Sequence, residues 1–104
     1  MITDIKPSPL KYKRFRATIK MHDNTIKEID FGLKGGSTYI DGNRTNKERL
    51  NYLTRHLANP TENKLINELI PSPSLLSAYL LWGPTKNLQK NVDELNKLWK
   101  LKDK

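Results

Sequence analysis

The chain contains no cysteine. That excludes a disulfide framework and a thiolate metal site, and fits a reducing compartment. It has two histidines, His22 and His56, far apart in sequence. A zinc site built from them would lack the usual ligand spacing. No acidic run is dense enough for a calcium loop, and Asp41-Gly42-Asn43 reads as a turn. No apolar run approaches the roughly 20 residues that a membrane-spanning helix needs. The first nine residues show no apolar core of a signal peptide, so none is expected. Nucleophilic catalysis wants a Ser, Thr or Cys beside a base. No Gly-x-Ser-x-Gly elbow is present, and neither histidine has a nucleophile at a telling spacing. Gly35-Gly36-Ser37-Thr38 lacks the spacing of a phosphate-binding loop and has no helix directly behind it. The sequence therefore offers no catalytic, cofactor or metal residues.

Acidic residues are also few. Nineteen Lys and Arg face eleven Asp and Glu, a formal net charge of +8 over 104 residues. That excess bears on partners rather than on fold. Nucleic acid, an acidic protein surface and anionic headgroups are the partner classes it suits. Residues 1–20 hold six of the cations against a single Asp4.

The length suits one domain with one small core. Residues 74–83, Ser-Leu-Leu-Ser-Ala-Tyr-Leu-Leu-Trp-Gly, are apolar nearly all round a helix. Such a helix is buried, so it is expected to be the post on which the other elements lay their apolar faces. Residues 1–9, with Pro7 and Pro9, are expected as a flexible basic arm. Residues 10–21 alternate, with Phe15, Ala17, Ile19 and Met21 on one face. Residues 26–33 alternate again, with Ile29, Phe31 and Leu33. The turn residues His22-Asp23-Asn24-Thr25 join the two runs into a hairpin. Its outer face sets Arg14, Arg16 and Lys20 opposite Glu28 and Asp30, where cross-strand ion pairs are expected. Residues 37–41 are β-prone, and are expected as a third strand or an extended piece.

Four helices follow. Thr45-Asn46-Lys47-Glu48 fits a capping box, opening a helix to about Ala58 with Leu50, Leu53 and Leu57 as its apolar stripe. Asn59-Pro60 starts a second, carrying Leu65, Ile66, Leu69 and Ile70. Ser72-Pro73 starts the buried one, and Gly83-Pro84 stops it. Thr85 is expected to cap the last, whose stripe is Leu88, Val92, Leu95 and Trp99. The expected fold is α+β: an N-terminal antiparallel hairpin, with the third strand left open, then a four-helix part on one face. The domain is placed at residues 10–101, with 102–104 frayed.

The basic surface is the functional signal. It falls into three groups: Lys11, Lys13, Arg14 and Arg16 on the first strand; Arg44, Lys47, Arg49, Arg55 and His56 on the first helix; Lys86, Lys90 and Lys97 near the last. Tyr52 lies off the leucine stripe among Arg49, Arg55 and His56. An aromatic among cations suits stacking on a base or anchoring a protein partner. Covering a neighbouring loop is the alternative. No motif for a particular nucleic acid is present.

Four blocks, Gly36-Ser-Thr-Tyr-Ile-Asp41, Lys47-Glu-Arg-Leu-Asn-Tyr-Leu-Thr-Arg-His56, Leu75-Leu-Ser-Ala-Tyr-Leu-Leu-Trp-Gly83 and Leu88-Gln-Lys-Asn-Val92, carry a resemblance. Together they are similar to small uncharacterised proteins encoded by nucleocytoplasmic large DNA viruses, the giant and algal-virus group. The resemblance implies a viral protein located in the virion, and in the host cytoplasm or nucleus during infection. On that footing the expected function is a non-enzymatic minor structural protein, capsid- or core-associated, binding acidic viral proteins through Lys and Arg. A nucleic-acid-binding role in packaging or regulation of viral double-stranded DNA is the alternative. The resemblance assigns no role to Tyr52, Arg55 or His56.

Overall fold

The computed structural model describes residues 1–102. Three strands, β1 (Ile2–Pro7), β2 (Lys13–Lys20) and β3 (Ile26–Leu33), form an antiparallel sheet in the order β1-β2-β3. Four helices follow: α1 (Asn46–Leu57), α2 (Pro60–Asn67), α3 (Pro73–Leu76) and α4 (Leu88–Lys102). The fold is α+β, with the strands first and the helices after, as the residue pattern predicts. Lys102 is helical, and the rest of the expected frayed tail, residues 103–104, lies outside the described residues.

The third strand is not where the sequence places it. Residues 1–9 are not a loose arm: Ile2–Pro7 pairs with β2, bulging between Ile2 and Asp4. Pro7 is tolerated because β1 is an edge strand and Pro7 is its last residue. At Ile2 the far edge of β1 is capped by α4. Asn96 accepts from the Ile2 N–H at 2.7 Å and donates to the Ile2 carbonyl at 3.1 Å. One side-chain amide thus satisfies both main-chain groups of a residue that an open edge would leave bare.

The β-prone stretch 37–41 is no strand either. It forms a 3₁₀ turn over Tyr39–Asp41. Thr38 donates its N–H (2.7 Å) and hydroxyl (2.9 Å) to the Asp41 carboxylate, and this local closure wins over extension.

Residues 73–81 are the buried post. Leu75, Leu76, Leu80 and Leu81 are fully buried, packed on Ala17, Ile19, Ile29 and Phe31 from the sheet and on Val92, Leu95 and Trp99 from α4. The post is not uniformly α-helical, however. After α3 it widens into a π-helical turn over Ser77–Leu81, in which the Trp82 N–H reaches back five residues to the Ser77 carbonyl at 3.1 Å. The sequence carries no sign of that widening.

Its C-terminal carbonyls would be orphans, and two side chains from other helices take them. Asn91 of α4, wholly buried, donates to the Leu80 carbonyl at 3.0 Å. Arg49 of α1 sends Nε to the carbonyls of Trp82 (3.1 Å) and Gly83 (2.7 Å). A cation at a helix C-terminus also favours the helix dipole. Gly83 is obligatory here, since a Cβ on it would lie 1.9 Å from the Tyr79 carbonyl oxygen.

The helix starts follow the expected signals in three cases. Thr45 and Glu48 close their capping box, Asn59 caps α2, and Ser72 accepts from the Leu75 N–H. In the fourth, Asn87 rather than Thr85 caps α4, accepting from the Lys90 N–H at 2.9 Å. Thr85 instead donates to Asn91 Oδ1 at 2.7 Å and accepts from the Asn87 N–H. No described helix is long and apolar enough to cross a membrane.

Candidate binding surface

Four of the five arginines named from the sequence are tied to partners within the fold. Arg14 grips Asp41 with two N–H bonds, 2.7 and 3.0 Å. That contact, with the two bonds from Thr38, brings the Asp41 carboxyl down to about 2. Arg16 binds Asp30 at 3.0 and 3.1 Å and reaches Glu28 at 3.2 Å. Asp30 is lowered by Arg16 first and then by the Ser8 hydroxyl. The cross-strand pairing expected of the hairpin therefore forms at Arg16, while Arg14 leaves the sheet for the 3₁₀ turn. Arg44 pairs with Glu48 one turn on, at 2.7 Å. Arg49 is spent on the two carbonyls already described. Of the five arginines, Arg55 is the one left exposed on a helix face without such a bond among the described residues.

Helix α1 docks by a face rotated from the expected one: Leu53 and Leu57 of the stripe are half-buried, as is Tyr52, while Leu50 is left out. None of its residues is fully buried, and Leu50 is exposed. Tyr52 makes the contact, stacked face to face on Trp82 with centroids 4.4 Å apart and planes 7° apart. Burial, with the Glu62 charge second, raises its phenol above the usual tyrosine range. His56 lies 4.1 Å from the Tyr52 ring and bonds Glu62 of α2 through Nδ1 at 2.9 Å. Ser74 also donates to that Glu62 oxygen, at 3.3 Å. The hydroxyl thus meets the carboxylate, not the imidazole, which is not the order of a nucleophile–base–acid relay. Tyr52 covers a neighbouring segment, the second of the two readings its position allowed. The aromatic is folded against Trp82 and so is not presented to a base.

Of the remaining sequence-named residues, Lys11, Lys47, Lys86, Lys90 and Lys97 are exposed and Lys13 is half-buried. They sit on different elements, and Arg49 of α1 also lies over the Tyr39 ring, at 5.9 Å. Lys47 heads α1, Lys86 lies beside the Tyr39 ring (5.2 Å), and Lys90 and Lys97 stand on the outer face of α4. The Gly35-Gly36 loop is not a phosphate cradle: the Lys34 N–H bonds the Tyr12 carbonyl, and the Gly36 N–H bonds the Leu33 carbonyl, both at 3.0 Å. No group of three or more potential ligand residues that could hold a metal ion occurs among the described residues.

One cluster was not legible in the sequence. Where β2 begins and β3 ends, Leu10, Tyr12 and Leu33 stand 46%, 69% and 65% exposed. Lys11, Lys13 and Lys34 are their neighbours along the chain, and the Lys34 N–H bonds the Tyr12 carbonyl at 3.0 Å. Lys13 is the register partner of Leu33, and Lys11 Nζ lies 5.3 Å from the Tyr12 ring centre. Alternation places Leu33 on the core face, but the sheet outruns its helical cover at this end.

A family model described as a family of unknown function, DUF5754, matches residues 3–56, just over half of the chain. The chain belongs to this family. The DUF5754 match runs from β1 to the end of α1, and so takes in the Leu10–Tyr12–Leu33 cluster, the Arg14–Asp41 and Arg16–Asp30 pairs, Arg49 and Tyr52. It stops short of Trp82 and Asn91, which complete the internal clamp. Comparison with curated proteins found no match, and comparison with solved structures found none.

Proposed function

We propose that this DUF5754 protein is a non-enzymatic binding protein that attaches to an acidic protein partner through its lysine-ringed apolar cluster. We place it as a minor structural component, capsid- or core-associated, in the virion of a large double-stranded DNA virus. The observation that carries the binding mode is the exposure of Tyr12 and Leu33 among Lys11, Lys13 and Lys34. Large apolar residues left exposed at one end of a sheet suit a contact surface, and tyrosine is a favoured anchor at protein interfaces. Lysines around it steer an acidic surface into register and set the association rate. Because the arginines are engaged internally, the outward charge is mostly lysine, a point charge without the planar fork that reads bases. The viral setting rests on the resemblance of the four sequence blocks.

A second reading, binding of viral DNA for packaging or regulation, is favoured by Lys11 over the exposed Tyr12 ring. An exposed ring beside a cation suits stacking on an unpaired base. A photo-crosslinking residue in place of Tyr12, carried in infected cells, separates the two. Capture of a capsid or core protein, lost on Lys11→Glu with Lys34→Glu, supports the first. Capture of DNA, with duplex affinity that survives physiological salt and a slope reporting several phosphates, supports the second. No crosslink to either refutes both.

A further inference from the structure

We infer that a cleft at the opposite end of the sheet binds an anionic amphiphile, a single apolar chain ending in a carboxylate. The cleft lies between the β2 terminus, the α2–α3 connection and the C-terminal half of α4, and is an open groove of about 540 Å³. That volume is within the range of small-molecule sites, roughly 300–1,000 Å³. Ile19, Met21, Leu69 and Trp99 supply apolar wall. The Trp99 indole N–H is already given to the Leu69 carbonyl at 2.7 Å, so its ring offers the cleft carbon surface rather than a donor. Both methionines of the chain, Met1 and Met21, line it, and thioether side chains adapt to irregular apolar ligands.

The charge at this cleft has one sign. Lys20, Lys100 and Lys102 contribute ammonium groups, and no described lining residue is acidic. Lys102 also reaches the Glu68 carbonyl, but an ammonium has three donors. Point charges over an apolar wall complement a small anionic head on a hydrocarbon body.

The backbone of the wall is strained. Leu69 has φ +54°, a left-handed conformation that non-glycine residues avoid. It closes α2 in the position usually filled by glycine, with the Leu69 N–H on the Ile66 carbonyl and the Ile70 N–H on the Leu65 carbonyl. A leucine held there keeps an apolar side chain on the cleft that glycine would not supply. Strain of this kind gathers at ligand sites.

The test is an NMR titration of the full chain, labelled at the tryptophan indoles and methionine methyls, with dodecanoate below its micelle concentration. The Trp99 indole and both methyls are expected to shift together and saturate, while the Trp82 indole stays put. Lys20→Glu with Lys100→Glu, both exposed positions, should keep a dispersed spectrum and weaken binding about tenfold. Three results would each overturn the inference: no saturable shift up to about 1 mM dodecanoate, undiminished affinity in the double variant, or equal affinity for dodecyltrimethylammonium. The readout is independent of the Tyr12 cluster, so either proposal can fail without the other.

Discussion

Replacing Asn91 by alanine should be among the most damaging single changes on α4. Its side chain is wholly buried and makes four bonds: Nδ2 to the carbonyls of Leu80 (3.0 Å) and Thr85 (2.9 Å), and Oδ1 from the Thr85 N–H (3.1 Å) and hydroxyl (2.7 Å). Leaving the buried Leu80 carbonyl unpaired costs about 1–3 kcal/mol. The groups of Thr85 are only half-buried and can recover water, so about 0.5 kcal/mol for each of three bonds is reasonable. Alanine regains about 0.5 kcal/mol of helix propensity. The net loss is about 3 kcal/mol, against roughly 5–15 kcal/mol for a whole domain. Urea unfolding followed by circular dichroism should show a lower midpoint with unchanged slope, and Tm should fall by about 12 °C or more. Asn87→Ala is the internal comparison, a helix cap worth about 1 kcal/mol. If Asn91→Ala costs no more than Asn87→Ala, the clamp does not hold the π-helical turn and the account of the post is wrong.

Arg49→Ala should cost about 1–3 kcal/mol by stripping the Trp82 and Gly83 carbonyls, whereas Arg55→Ala should stay within about 0.5 kcal/mol; equal urea midpoints for the two would contradict the division of the arginines. Gly83→Ala should cost at least about 3 kcal/mol, because something must move to admit a Cβ 1.9 Å from the Tyr79 oxygen; a Tm within a few degrees of the parent would count against that packing. Asp41 is held at about 2 by Arg14, below its ordinary value. A lowered carboxylate stabilises the fold above the unfolded-state value near 4, and that contribution fades as pH falls from about 4 to 2. Discounted for solvent screening it is about 1 kcal/mol, and Asp41→Asn should flatten that part of an acid titration of stability.

Much of the architecture was open to reading because it is local. The hairpin alternation in residues 13–20 and 26–33, the Thr45 capping box and the Asn59-Pro60 and Ser72-Pro73 starts each depend on neighbours a few residues apart. The basic groups were legible as composition and not as a site. For Arg14, Arg16 and Arg49 the partner is a carboxylate or carbonyl 14 to 34 residues away, which spacing does not reveal. The Leu50 stripe illustrates the same point. Helical periodicity made it the docking face, yet Leu50 is exposed while Tyr52 joins the half-buried Leu53 and Leu57, because Trp82 offers its ring a flat partner.

What the residues alone determined was a hairpin followed by four helices, the buried helix ending at Trp82-Gly83 and the excess of positive charge. Each follows from short-range periodicity, turn chemistry or simple counting. The tertiary structure decided that the N-terminal residues are a strand rather than an arm, because they pair with β2 and Asn96, 94 residues away, holds Ile2. It also decided which charges are consumed inside the fold and which apolar side chains remain outside. Those outcomes are set by contacts between distant segments, and only the folded chain brings the segments together.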